Sequence, residues 1–171
     1  MIETLTMLSK KWEEDHPPNL SDNGIEDSEE ENGEEEEIPN RNKTYVQQLE
    51  SISKLLNDKH NEDNLVDLVK CLGNDIAAVR SAPTALFSFL KAQEPIEGFC
   101  ETNAFQRTLE LAMSFGGDTD TIMSMAGAIA GAYYGESNIP KYLINLCEGV
   151  EDAQKQAEEI FKITHNNLHS S

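Results

Sequence analysis

The sequence predicts an all-α protein. Apolar residues recur at helical spacing along nearly every segment from Thr44 onward. No stretch alternates apolar and polar residues over a useful length. Behind Gly116, an Ala/Gly-rich run has the small residues of a tightly packed helix.

Taken in order, Ile2, Leu5, Leu8 and Trp12 fall on one helical face, so residues 1–12 read as an amphipathic helix. It begins at Met1 without an N-cap residue or a preceding loop, as a chain cut within a fold would. Residues 13–43 contain Pro17-Pro18, Asn23-Gly24, Asn32-Gly33 and the acidic run Glu34 to Glu37. Low hydrophobicity and like-charge repulsion predict a disordered acidic insertion there. Tyr45, Leu49, Ile52 and Leu56 form the next stripe, and Leu65, Leu68, Val69 and Leu72 another. Ser81-Ala82-Pro83 gives a start signal with Pro83 in the first turn, and Thr84 to Ala92 behind it predicts a buried helix. Phe105, Leu109, Ala112 and Met113 continue the pattern to Gly116. Ile122, Met125, Ala126, Ile129 and Tyr133 follow, closed by Gly135, and Val150, Ala153, Ala157, Ile160, Phe161 and Thr164 give a last amphipathic helix. Residues 44–165 are thus the helical domain and 166–171 a tail. Such wide apolar faces on a small chain call for partners, from a further N-terminal portion or a second chain.

The 171 residues carry a net charge of −19, distributed unevenly. Thirteen of the 32 acids lie between Glu13 and Glu37, where there is no Lys or Arg; the remaining 19 against 13 bases leave −6. A polyphosphate surface needs Lys/Arg clusters, so no direct nucleic-acid partner is expected. Ile122 to Tyr134 is the longest apolar stretch, well short of the roughly 20 residues of a membrane span. Met1 leads straight into the amphipathic pattern instead of a signal peptide, and an intracellular protein is expected. Cys71, Cys100 and Cys147 are odd in number and widely spaced, which predicts free thiols in a reducing compartment. The histidines (His16, His60, His165, His169) have no ligand spacing to them, which argues against zinc.

The chemistry concentrates in Gly116 to Thr121, GGDTDT. With Asp118 in a loop and Asp120 and Thr121 in the first turn of a helix, two carboxylates and a hydroxyl converge on one point. Hard oxygen ligands suit Mg²⁺, Mn²⁺ or Ca²⁺ rather than zinc. The helix N-terminus behind them favours a phosphate beside the cation. The same residues equally admit a plain reading, with Asp118 or Thr119 as an N-cap and Asp120 as a first-turn acid. An EF-hand is excluded, because Met123 and Ile129 occupy the positions that need Gly and Glu. A phosphatase-type nucleophile belongs after a buried strand, whereas Asp118 follows a helical pattern. Gly127, Gly131 and Gly135 recur every four residues at a cost of roughly 1 kcal/mol each inside a helix. Close approach of this helix's backbone to its neighbours is the expected reason.

Gly116 to Gly135, GGDTDTIMSMAGAIAGAYYG, resembles the C-terminal metal motif of the ADP-ribosylglycohydrolase family. Its nearest likeness is to the type 3 branch, which releases ADP-ribose from serine and O-acetyl-ADP-ribose and degrades poly(ADP-ribose). Leu72 to Ala78, Ser81 to Ala85 and Phe105 to Leu109 resemble the same branch, so the likeness runs from about Tyr45 to Phe161. It implies the C-terminal part of that all-α fold, with two Mg²⁺ ions between separated acidic motifs and Asp118, Asp120 and Thr121 as the C-terminal ligands. Ile76 would contact bound ADP-ribose. Where the family has Gly this chain has Asp75, an acid beside a diphosphate unless it points away. The family's Thr-Asp-Asp motif, catalytic-loop glutamate and Gly-rich phosphate loop are not found in the sequence, and no catalytic residue is identified. The resemblance implies a magnesium-dependent ADP-ribosyl hydrolase, here as a truncated chain weak or inactive alone. It further implies ADP-ribose or an ADP-ribosylated protein as partner, a monomeric complete enzyme, a role in the DNA damage response, and a nuclear, cytoplasmic or mitochondrial setting. The alternative is a non-catalytic interaction or regulatory protein that retains a remnant of the fold.

Overall fold

A computed structural model describes residues 2–15, 43–58, 64–100 and 102–168. Among these residues the chain is helix and loop without a strand, as the spacing of apolar residues predicts. The elements are α1 (Ile2–Asp15), α2 (Tyr45–Asn57), α3 (Leu65–Leu72), α4 (Ala78–Lys91), α5 (Ala104–Ser114), α6 (Thr119–Tyr134), α7 (Lys141–Leu146) and α8 (Val150–Leu168). A short 3₁₀ turn at Glu136–Asn138 lies between α6 and α7.

Several expected boundaries move. α1 runs to Asp15, three residues into the segment assigned to the insertion, and the Glu13 carboxylate accepts from the Val46 N–H at the start of α2 (3.3 Å). Residues 16–42, which hold the rest of the expected acidic insertion, lie outside the described residues. Lys43 is placed by its Nζ, which donates to Ser51 Oγ (3.1 Å) and to the Cys71 carbonyl (3.0 Å). α8 reaches Leu168, inside the expected tail, of which 169–171 lie outside the described residues.

The helix predicted to start at Ser81 begins instead at Ala78, so Pro83 sits inside α4 rather than in its first turn. The missing N–H falls at its sixth residue, where the Val79 carbonyl would otherwise accept. Pro83 and its neighbours Thr84 and Ala85 are buried, and this packing holds the helix together through the defect.

α4 is the central element, packed against α2, α5 and α6. Leu49, Ile52, Leu68, Leu72, Phe87, Leu111 and Phe115 form one core cluster; Ala85, Ala112, Ile122 and Ala126 form a second, under α6. Arg107 is buried and fastens the chain after α4, with Nε donating to the Ala92 carbonyl (2.9 Å) and Nη1 to that of Cys100 (2.6 Å).

The glycine repeat of α6 is only partly explained by close packing. A Cβ at Gly127 would lie 3.3 Å from Leu109 Cδ2, a tight fit, but at Gly131 its nearest neighbour would be 3.9 Å away. Gly135 faces open space and serves as the C-cap, at φ +76°. α6 is buried along one face (Ile122, Ala126, Ala130), whereas Ser124, Ala128 and Tyr133 are exposed. α8 has its predicted amphipathic pattern without burial: Ile160, Phe161 and Ile163 are all about 60% exposed. The three cysteines are in no disulfide, and no described helix is long and apolar enough to cross a membrane.

Candidate metal centre

α5 ends in the buried Phe115, and the chain then reverses through two consecutive left-handed residues, Gly116 (φ +67°) and Gly117 (φ +63°). Two such residues in a row, which side chains with a Cβ resist, deliver Asp118 to the N-cap position of α6. Asp120 and Thr121 follow in the first turn. The plain reading of Asp118 as a side-chain cap finds no support, since its carboxylate makes no capping hydrogen bond. It faces Asp120 instead. Hydrogen bonding with Asp118, then with the N–H groups of Thr121 and of Asp120 itself, holds the Asp120 carboxyl below the usual aspartate value. The Thr121 N–H donates to Asp120 Oδ1 at 3.0 Å. Asp120 and Thr121 are exposed and Asp118 is half-buried.

This donor set, two carboxylates and a hydroxyl, has the chemistry of a hard divalent cation. It is a partial set: among the described residues no three or more His, Cys, Asp or Glu side chains gather around one point. Octahedral coordination of Mg²⁺ therefore needs further oxygens, from water or from other protein groups. His165, the one histidine in a described segment, stacks on Phe161 (4.0 Å between ring centroids).

A second loop lies against the first. α3 ends at Gly73, and the turn Asn74-Asp75-Ile76 leads into α4. The Asn74 carbonyl accepts from the Asp118 N–H (2.7 Å), and Asn74 Nδ2 donates to the Phe115 carbonyl (2.8 Å). Gly117 is required by this contact, because a Cβ there would sit 2.1 Å from the Asn74 carbonyl oxygen. The turn is anchored on its other side by Gln48 Nε2 donating to the Leu72 carbonyl (2.9 Å) and Thr84 Oγ1 to that of Gly73 (2.7 Å). Asp75 does point inward along the turn: one oxygen accepts from the Ala77 N–H (2.9 Å) and the other from Arg80 Nε. Ile76 is 79% exposed at the tip.

The four residues singled out from the sequence thus fall on two loops that touch. Asn74, Arg80 and Thr84, which hold those loops, were not singled out. An Asn after a helix-ending Gly is a common turn signal, and nothing in its type announces a contact 41 residues away.

Comparison with known proteins identifies the family. Residues 9–169 match the family described as ADP-ribosylglycohydrolase. The chain is 40% identical over 135 residues to ADP-ribosylhydrolase ARH3 of Bos taurus, covering 77% of this chain and 36% of that protein. The Homo sapiens protein of the same name is 40% identical over 74% of this chain and 35% of its own length. For Gallus gallus the identity is 47%, over 57% and 27% respectively. The chain spans about a third of the length of the first two.

Proposed function

This chain belongs to the ADP-ribosylglycohydrolase family, and from that premise we propose that it forms one side of a magnesium-dependent site that hydrolyses ADP-ribosyl linkages. The substrates in this reading are ADP-ribose in O-glycosidic linkage to serine, O-acetyl-ADP-ribose and poly(ADP-ribose), handled by a monomeric enzyme. The observation that carries it is the contact of two loops, one presenting an uncapped carboxylate pair and the other an exposed apolar tip.

In this proposal Asp118, Asp120 and Thr121 hold a Mg²⁺ ion. Bound there, the ion supplies Lewis-acid polarisation and orients ribose hydroxyls. Ile76 offers an apolar face to bound ADP-ribose. Asp75, tied to Arg80 and the α4 backbone, keeps its negative charge occupied and turned from a diphosphate. Proton transfer and the opposing cation ligands come from groups beyond the described residues, among which no three or more His, Cys, Asp or Glu side chains gather around one point. That same observation favours the second reading, a non-catalytic interaction or regulatory protein.

The test is release of ADP-ribose from a serine-modified peptide, with and without Mg²⁺. The expected result is slow, Mg²⁺-dependent release relative to a full-length family member. Release at the full-length rate would show that the chain holds a complete site. No release, together with no Mg²⁺ binding, would favour the regulatory reading.

A further inference from the structure

We infer that Asn74 is a positioning residue that makes cation binding at Asp118–Asp120 and ligand binding at the Ile76 turn mutually dependent; this rests on the proposed ADP-ribose and Mg²⁺ reading. The two hydrogen bonds that join the loops both run through this one residue. Its carbonyl accepts from the N–H of Asp118, the residue that carries a proposed ligand carboxylate (2.7 Å). Its amide donates to the Phe115 carbonyl, just ahead of the two left-handed glycines that aim Asp118 (2.8 Å). Asn74 therefore grips the metal loop at both ends.

The grip is stiff. Gly117 lies so close that a Cβ would meet the Asn74 carbonyl oxygen at 2.1 Å and its Cγ at 2.7 Å. Neither loop can shift by much without moving the other, because packed groups at such distances have no slack. On the ligand side, the two residues after Asn74 are Asp75, locked to Ala77 and Arg80, and the exposed Ile76. Behind Asn74, the Leu72 and Gly73 carbonyls are held by Gln48 and Thr84. A ligand that fixes the Ile76 tip thus acts on a segment with few internal degrees of freedom, whose free end is the hydrogen bond to Asp118. A ligand that displaces either loop therefore displaces the other, and a displacement shared by two binding sites is a coupling free energy and is reciprocal.

The experiment measures Mg²⁺ dissociation constants by NMR on the 171-residue chain, without and with saturating ADP-ribose. In the wild type, ADP-ribose should tighten Mg²⁺ binding about fivefold or more, and Mg²⁺ should tighten ADP-ribose binding by the same factor. In Asn74→Ala, which removes the amide donor to Phe115 and keeps the backbone bond to Asp118, the two ligands should still bind, with the factor reduced severalfold but still above one. A purely structural role would lower the melting temperature and weaken both ligands while leaving the factor unchanged. Asn74→Asp, of equal size but lacking the amide donor, provides the measurement should the alanine variant fail to fold, and should reduce the factor likewise. Persistence of the wild-type factor in a folded variant, or no coupling in the wild type, overturns the inference alone. A wild-type chain that binds neither ligand overturns the Mg²⁺ and ADP-ribose reading beneath it as well.

Discussion

The Arg80 guanidinium donates from Nε to one oxygen of Asp75 while the other oxygen receives the Ala77 N–H, so a carboxylate in the proposed ligand turn is fully engaged by its own loop. The pair is partly exposed, with side chains 13% and 38% accessible, and its contribution to stability is small. Its consequence is electrostatic. Arg80→Met keeps the aliphatic packing over Gly73 but frees the Asp75 charge, and ADP-ribose binding should weaken several-fold. The double variant Arg80→Met/Asp75→Asn should recover most of that loss. Equal weakening in both variants, measured by calorimetry, would mean that the Asp75 charge is immaterial to the ligand.

Gly117→Ala should destabilise the fold by more than about 2 kcal/mol. An L-residue in the left-handed region costs roughly 1–2 kcal/mol, and here the new methyl also meets a backbone oxygen. Gly98→Ala, with a positive φ of +82° and nothing within 4 Å, should show the conformational cost alone. Thermal unfolding of the two variants separates the effects; equal shifts would mean that the Asn74 contact yields cheaply.

Asp118→Ala should leave the melting temperature nearly unchanged, because its side chain caps nothing. Thr44→Ala, which removes one half of the capping box with Gln47, should cost about 1 kcal/mol by comparison. Mg²⁺ binding should follow the opposite order, lost in Asp118→Ala and intact in Thr44→Ala. Unchanged Mg²⁺ affinity in the first variant would refute the ligand assignment.

These contrasts mark where the sequence is legible. The α2 and α3 stripes place Leu49, Ile52, Leu68 and Leu72 in the core because burial follows spacing, though Tyr45 and Leu65 at the stripe ends stay half-open. The start of α4 is misplaced because Pro83 is a strong local signal, whereas the start is set by Asp75 and Arg80 acting on Ala77. On α5 the buried face includes Arg107, Thr108 and Leu111 while Met113 is 54% exposed, a rotation that apolarity alone does not reveal. At the site, Asp is both a favoured cap and a favoured ligand, so the hexapeptide is ambiguous: Asp118 takes the N-cap position without a capping bond, and Asp120 is the first-turn acid that the plain reading also expects. Asn74 is invisible beforehand because its partners are far along the chain.

Metal binding should be insensitive to pH from about 8 to 5 and fall only below about pH 4. Hydrogen bonding with Asp118 lowers the folded value of Asp120, so its charged form persists as pH falls through the ordinary aspartate value. The accompanying stability is present above the unfolded value and is lost as pH drops through the folded one. Asp120 is fully exposed, so that contribution is minor and the cation is the sensitive readout. A midpoint for Mg²⁺ release between pH 6 and 7 would implicate a histidine that the proposed ligand set does not contain.

α8 should behave as a separate, weakly stable unit. Its residues 151–165 are exposed, and Gln154 Nε2 donates to the Glu136 carboxylate (2.6 Å). A helix that buries no face over residues 151–165 is marginal in water, since most helical stability in proteins comes from packing. Backbone amides of α8 should therefore exchange with solvent hydrogen far faster than those of α5, whose Phe105, Thr108 and Leu111 are buried. Phe161→Ala should shift the unfolding free energy by less than about 0.5 kcal/mol, as surface changes do. Phe87→Ala, at a site with no exposure, should cost about 3–5 kcal/mol. Protection of α8 equal to that of α5, together with a large cost for Phe161→Ala, would show that its Ile160–Phe161 stripe is covered in solution, with a second copy of the chain as one candidate cover. Concentration-dependent protection would identify that copy directly.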